Sequence, residues 1–589
     1  MLNRRWLWMV GLVACCVAAQ AGEPGVDRTV EGIIARMRSA LGREGLLKLD
    51  AATVDLYVTA ADRAVLASRY WRFTANVPVL VSVMRAVEQK VPPFWLQSRG
   101  FARTGLRVRN EEYEYEVWQK SFPAGEVGLG INGFDQHRPH YFVSVGPLKP
   151  GSALRLSGYY PRDQHRFVMH KGSPIYHDWP DLVITELPDA LKGQALLTTI
   201  RGRAREAHLV GGFRTTSNPS GPKPDQLHLT WAADPATSIA VQWRTAPSVR
   251  AGRLQWRPAG SASAWRMARA SSDTLTDSRI VNDPVVRAWR AVLRGLRPGT
   301  AYEYRVEGSA ATHRFRTAPA GPAPLTFTWL SDTHNQPATA SLLAAALRRF
   351  PQQSFCTVSG DLVGTGQNRD DWDQFWRHLA AYAPERPVVP SMGNHDAIDG
   401  LGPDGYLAQF ALPANGAPSL RPGRSYHFEH SGLLFMALDA TDVVSAQTAW
   451  LAETLRKSKA RWKVAAFHFP PYSLEEDYPE IRRQWCPLFD RYGVDLVLSG
   501  HVHRLQRTYP IRANRALPEG SAAPVYLMTV AVAQRGEEAK RPRYGLVNLE
   551  PGVPIYHAFE LRGSRLTMQA LDADGKEWDR LEIAKPAGR

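Results

Sequence analysis

Residues 325–334 read LTFTWLSDTH, an apolar run from Leu325 to Leu330 that stops at Ser331-Asp332-Thr333-His334. Thr, Phe and Trp favour extended backbone, and a short apolar run bounded by a polar cluster reads as a buried strand ending in a loop. The same unit recurs downstream. Phe355 to Ser359 ends in Gly360-Asp361, and Pro387 to Met392 ends in Gly393-Asn394-His395-Asp396. Val464 to Phe467 ends in His468-Phe469-Pro470-Pro471, and Val494 to Ser499 in Gly500-His501-Val502-His503. Helical intervals, Ala338 to Phe350 and Asp370 to Tyr382, separate the first three units. Alternating β and α elements predict a mainly parallel or mixed sheet, with all the clusters gathered beyond the strand ends on one side of one sheet.

Singly these clusters are weak signals, because Asp-x-His commonly caps a turn and Gly-Asp commonly makes one. In succession at strand ends they can build one site from distant sequence. Asp, Asn and His supply oxygen and imidazole donors, suited to Mn, Fe, Zn or Co and not to thiolate-bound metals. Two ions about 3.5–4 Å apart can hold a hydroxide and clamp the attacking and leaving oxygens of an in-line displacement. Asp332 and Asp361 cancel only part of the charge of two divalent ions, so the centre stays cationic and favours an anionic ester. The His ligands must be neutral to bind, so metal should be lost at low pH.

The order Asp-x-His, Gly-Asp, Gly-Asn-His-Asp, His, Gly-His-x-His resembles that of the calcineurin-like metallophosphoesterases. The resemblance implies a four-layer α/β/β/α domain holding two divalent or trivalent transition-metal ions. It implies that Asp332, His334, Asp361 and His503 bind the first ion, and that Asp361 bridges to a second held by Asn394, His468 and His501. His395 would lie beside the leaving group, where it could protonate the departing alkoxide, with Asp396 supporting it. The preceding region adds to the likeness. LTW (Leu229 to Trp231), DPATSIAVQWRT (Asp234 to Thr245) and LRPGTAYEYRV (Leu296 to Val306) resemble the fibronectin-III-like domain before the catalytic domain of purple acid phosphatases. Two positions depart from those enzymes. His334 stands where they have Gly, and Gly364 where they have a Tyr ligand, so no iron–tyrosinate bond is expected, nor a strict Fe(III) requirement.

Outward from this region, Thr215 to Pro224 (TTSNPSGPKP) and Thr317 to Pro324 (TAPAGPAP) read as interdomain linkers. They divide the chain into 22–220, 224–318 and 323–589. The middle part alternates as short strands and is expected to be an all-β sandwich. The first part opens with an amphipathic helix, Ile33, Ile34, Met37 and Leu41 on one face, and continues in strand-like alternations such as Tyr141, Val143 and Val145. It is expected to be α+β or mainly β. Its His137, His140, His165, His170 and His177 show no metal-ligand spacing, and no function is read from it. Asp439 is expected to be structural or to back the metal ligands, and Tyr472 to sit on the rim.

Arg4 and Arg5 precede an apolar run, Trp6 to Ala19, and Ala19-Gln20-Ala21 fits a small-x-small cleavage pattern. Residues 1–21 are therefore expected to be a cleaved export signal that delivers a secreted or periplasmic protein, with a lipoprotein anchor at Cys15 as the minor alternative. No later segment holds eighteen consecutive apolar residues, so no transmembrane segment is expected in the mature chain. Cys356 and Cys486 then remain, both in apolar surroundings and expected to be buried free thiols.

The chain of 589 residues is 44% hydrophobic and 22% charged, which excludes wholesale disorder. Residues 1–21 hold two Arg and no acid, so their removal lowers the formal charge from +16 to +14. This charge reads as spread over every region, with no basic tail or aromatic-interleaved patch, and no stable nucleic-acid binding is expected. The expected function is a secreted, acid-phosphatase-like phosphomonoesterase acting on a phosphate ester through a metal-bridging hydroxide. The alternatives are a phosphodiesterase acting on nucleotides or nucleic acid, and a surface binding module with a vestigial metal site.

Overall fold

The computed structural model describes residues 25–137, 139–161, 164–176, 182–397, 402–532 and 542–586. The expected export signal, His177 and residues 533–541 lie outside the described residues.

The first region is α+β. Its helix Val26–Ala40 buries Val26, Val30, Ile33, Ile34 and Met37, spaced to share one face. A six-stranded sheet and a three-stranded sheet complete it. The middle region is a sandwich of two antiparallel four-stranded sheets whose inner faces bury Ile239, Val241, Trp243, Leu254, Trp289, Tyr302, Tyr304 and Phe315.

The last region carries two mixed sheets, as the resemblance to a four-layer α/β/β/α domain implies, where the strand pattern alone suggested one. Three parallel strands, Leu325–Leu330, Cys356–Ser359 and Val388–Ser391, adjoin three antiparallel C-terminal strands from Tyr556 to Ala584 in a six-stranded sheet. Leu433–Ala437, Trp462–Ala466, Leu496–Ser499 and Val525–Met528 run parallel within a seven-stranded sheet. The first three polar clusters therefore belong to one sheet and the last two to the other. Inward-facing residues of both sheets, among them Phe327, Phe559, Phe435 and Leu498, share one core. The helices Ala338–Arg349 and Arg369–His378 pack their apolar residues in a core with Leu330, Val358 and Val388 of the first sheet. Ser445–Lys457 and Cys486–Tyr492 do the same with Leu434, Ala465 and Val497 of the second. This gives the layers helix, sheet, sheet, helix.

The stretches read as linkers are packed in place. Thr216 is buried and its hydroxyl donates to Asp373 in the catalytic helix at 2.9 Å. Thr317 is buried and donates to Arg297 O at 2.7 Å. The sandwich also docks on the catalytic region through His228, whose ring stacks on Trp376 at 3.7 Å. Cys356 and Cys486 are buried free thiols, and burial pushes both up to about 12. No helix among the described residues is long and apolar enough to cross a membrane.

Candidate metal centre

The two sheets meet over the site. Asp332, His334, Asp361, His501 and His503 all hold positive φ, 53°, 40°, 51°, 73° and 51°. Non-glycine residues adopt this conformation at a cost of about 1–3 kcal/mol each, so their surroundings must impose it. Interlocking backbone bonds do so. His334 N–H donates to Asp361 O at 3.0 Å, and His501 N–H donates to both Asp332 carboxylate oxygens at 2.9 and 3.0 Å. The last contact ties the first cluster to the fifth across the two sheets.

Three groups of candidate ligand atoms each lie within 4.8 Å of one another: Asp332, His334 and His503; His334, Asp361 and His395; Asp361, His468 and His501. Asp361 belongs to two of them, with Oδ2 3.1 Å from His468 Nε2 and 3.8 Å from His334 Nε2. His395 lies as close to His334 and Asp361 as the other members lie to each other. Asn394 stands one residue before it, at the start of a short helical turn.

The donor set fits metal ions. Asn394 Oδ1 and His468 Nε2 are buried without a well-directed hydrogen bond, an expensive state for polar atoms that a cation would relieve. His468 Nδ1–H donates to Ser359 O at 3.0 Å, which leaves Nε2 as its ligand atom. Burial acts to lower the pKa of His468, but Asp361 and then Asp332 outweigh it and push it up to about 10. Burial likewise opposes ionisation of Asp361, while His468 and His395 hold it well below the usual carboxylate range. An arriving cation takes the place of the His468 proton, so uptake weakens as pH falls.

The Gly residues of the clusters are required by close approach. A Cβ on Gly393 would lie 2.2 Å from both N and Oδ1 of Asp361, and one on Gly500 would lie 2.1 Å from Asp332 Oδ2. Displacing Asp361 by about 1 Å should cost roughly 10²-fold in turnover. We therefore expect Gly393→Ala to fold, to bind less metal by plasma mass spectrometry, and to lose activity on that scale.

Asp396 does not support the His395 ring. It is buried and accepts from the backbone N–H groups of Leu362 at 2.8 Å, Val363 at 3.2 Å and Gly393 at 2.8 Å, bracing the loops on either side of Asp361. The short helical turn at Asn394 carries its side chain toward those amides, and the His395 ring is held instead through Nδ1 by Gly364 O at 2.8 Å. Asp439 is structural, bound by Arg424 at 2.6 Å and Thr441. Tyr472, expected on the rim, is buried and donates to Asn514.

Glu476 was not legible in the sequence. It lies 3.2 Å from His501 Nε2 and accepts from Tyr478 O–H, and Phe469 stacks on Tyr478 to complete the wall. Burial acts to raise its pKa, but His501 outweighs this and holds it down at about 2. Carboxylates that orient metal-binding imidazoles typically add 10–100-fold in metal affinity. Glu476→Gln should weaken binding of one ion by about tenfold in calorimetric titration, more than it weakens the other.

Residues 325–505 match the family described as calcineurin-like phosphoesterase, and residues 224–317 match the purple acid phosphatase N-terminal domain. The chain carries a calcineurin-like metallophosphoesterase domain. A purple acid phosphatase N-terminal domain precedes it. An uncharacterised protein of Mycobacterium tuberculosis is 29% identical over 335 residues, 49% of this chain and 62% of that protein's length. Purple acid phosphatase 21 of Arabidopsis thaliana is 29% identical over 248 residues, 39% of this chain and 55% of its own. The matches thus span about three-fifths of these relatives. A purple acid phosphatase from yellow lupin seeds shares the fold of the metallophosphoesterase chain, with TM-score 0.55, 14% identity, and coverage of 87% of this chain and 93% of that one.

Proposed function

We propose that this chain is an exported binuclear-metal phosphoesterase acting on phosphate monoesters. The observation that carries the reading is the convergence of Asp332, His334, Asp361, His468, His501 and His503 from two sheets, with Asp361 common to two ligand groups. The apolar run Trp6 to Ala19 and the Ala19-Gln20-Ala21 site support export. The pairing of the N-terminal purple acid phosphatase domain with the catalytic domain supports the monoester class.

Asp332, His334, Asp361 and His503 would hold one ion, and Asp361, Asn394, His468 and His501 the other. When bound, two such ions supply an activated water and neutralise charge on the ester. The protein's own residues do the rest. Asp361 O accepts from His334 N–H at 3.0 Å, fixing the turn that carries its carboxylate, and His395 N–H donates to Asp361 Oδ1 at 2.9 Å, setting its orientation. Gly364 O can only accept, so His395 Nδ1 carries a proton and Nε2 is the atom left to exchange one with the leaving-group oxygen.

The test is the chain stripped of metal, reloaded with Mn, Zn, Fe or Co, and assayed on nitrophenyl phosphate and bis-nitrophenyl phosphate. Faster turnover of the monoester is expected. Preference for the diester would move the assignment to a phosphodiesterase, and no turnover with any metal would leave only a binding module.

A further inference from the structure

The net charge, read above as spread over every region, is concentrated in the middle one. Residues 224–317 hold fourteen Arg, no Lys and seven Asp or Glu, so this sandwich carries +7, half of the +14 that remains after residue 21. One of its sheets runs, in order, Arg266–Arg269, Arg253–Pro258, Ala301–Val306 and His313–Arg316. Pairing sets Arg253 opposite Arg269, Gln255 opposite both Met267 and Arg305, Glu303 opposite both Arg257 and Arg314, and Ala301 opposite Arg316. Directly paired residues share a face, and successive residues alternate faces. Because Leu254, Tyr302, Tyr304, Val306 and Phe315 fill the core, the outer face carries Arg253, Arg257, Arg269, Arg305, Arg314 and Arg316.

All of these except half-buried Arg257 are exposed. The acids on this face, Glu303 and Glu307, pair with Arg257 at 2.5 Å and Arg253 at 3.3 Å, which leaves an excess of four positive charges. The guanidinium groups of Arg257 and Arg305 lie over the Trp265 ring, 4.4 and 4.6 Å from its centroid. Met267 beside it is 60% exposed. Strand spacing makes the array about 14 Å wide.

We propose that this face docks the protein on an anionic phospholipid surface. The guanidinium fork matches phosphate oxygens bidentately, which favours an all-arginine array over lysine. An amphipathic Trp ring and an exposed Met suit the headgroup layer. The guanidinium groups of Arg257 and Arg305 already lie over the Trp265 ring, where a base of single-stranded nucleic acid would have to stack. The inference does not depend on the assignment of the metal centre.

Residues 22–589 are to be sedimented with phosphatidylglycerol vesicles, with phosphatidylcholine vesicles, and titrated with oligothymidylate. Each Arg near an anionic surface adds about fivefold to partitioning. Binding to phosphatidylglycerol should exceed that to phosphatidylcholine by more than about tenfold and weaken with salt. The double variant Arg269→Glu, Arg314→Glu should lose on the order of 10²-fold or more, and Met267→Ser should lose several-fold, both with unchanged nitrophenyl phosphate turnover. Equal binding to the two lipids, wild-type binding by the double variant, or binding to oligothymidylate in place of vesicles would overturn the proposal.

Discussion

Asp361→Asn should reduce turnover of nitrophenyl phosphate by on the order of 10⁴-fold, the scale seen when a central member of a catalytic constellation is removed. Asp361 is 1% exposed, and one carboxylate serves both ligand groups: Oδ2 lies 3.1 Å from His468 Nε2 and 3.8 Å from His334 Nε2, while Oδ1 accepts from His395 N–H. Asn keeps the size and can keep the bond from His395, so the fold should survive. It loses the negative charge, and its amide N–H₂ would face imidazoles that must offer lone pairs. The variant should therefore bind less metal by plasma mass spectrometry. Without Asp361 the leading attraction on the His468 proton is gone, burial prevails, and the His468 pKa should fall from about 10. The imidazole signal of the metal-free variant should titrate correspondingly lower by NMR. Full activity with undiminished metal content would refute a bridging role for Asp361.

The polar clusters were legible because each is a short local pattern at the end of a buried strand. The partition of those strands between two sheets followed only from the family resemblance and not from the strand pattern itself. Strands such as Leu325–Leu330 and Leu433–Ala437 are buried along their whole length, so neither shows the alternation that would betray its partner. The neighbour of Leu325–Leu330 on one side is Tyr556–Arg562, more than two hundred residues along the chain, a pairing that no local signal announces. Side-chain direction was equally hidden. Asp396 reads as a companion of His395 because it follows it, yet the helical turn sends the two side chains to different partners. Glu476 sits in the run Glu475-Glu476-Asp477, which reads as a solvated acidic loop until the fold brings His501 against it. The arginine face was missed for the same reason. Its residues alternate with core residues along four strands and become contiguous only through the register.

Asp373→Ala should lower the thermal midpoint by about 2–5 °C, corresponding to a loss of roughly 3 kcal/mol. Asp373 is 2% exposed on the catalytic helix Arg369–His378 and reads in sequence as one more acid on an amphipathic segment. In the fold it is where three regions of the chain meet. Thr216 donates to it at 2.9 Å from the stretch read as a linker, Gln226 at 2.9 Å and Arg244 at 2.6 Å from the sandwich, and Arg369 at 3.0 Å from its own helix. Burial raises the Asp373 pKa despite the two guanidinium groups, so the ionised network is not itself a large source of stability. The expected loss arises from what Ala leaves behind. Arg244 and Arg369, 5% and 6% exposed at their side chains, would remain buried with one carboxylate each, Asp225 and Asp283, beside the carbonyls of Asn218 and Asp283, and Thr216 and Gln226 would lose their acceptor. Asn keeps an acceptor for Thr216 or Gln226 and should cost less than Ala. Adding Thr216→Ala to Asp373→Ala should cost less than Thr216→Ala alone, because the two share one interaction and only the bond from Asn218 N–H to Thr216 Oγ1 at 3.1 Å is left to lose. Below the transition, turnover should change by no more than a few-fold, since no candidate metal ligand lies on this helix. If the two single losses add in the double variant, the stretch 215–224 is held by something other than Asp373, and the coupling between the regions must be sought elsewhere.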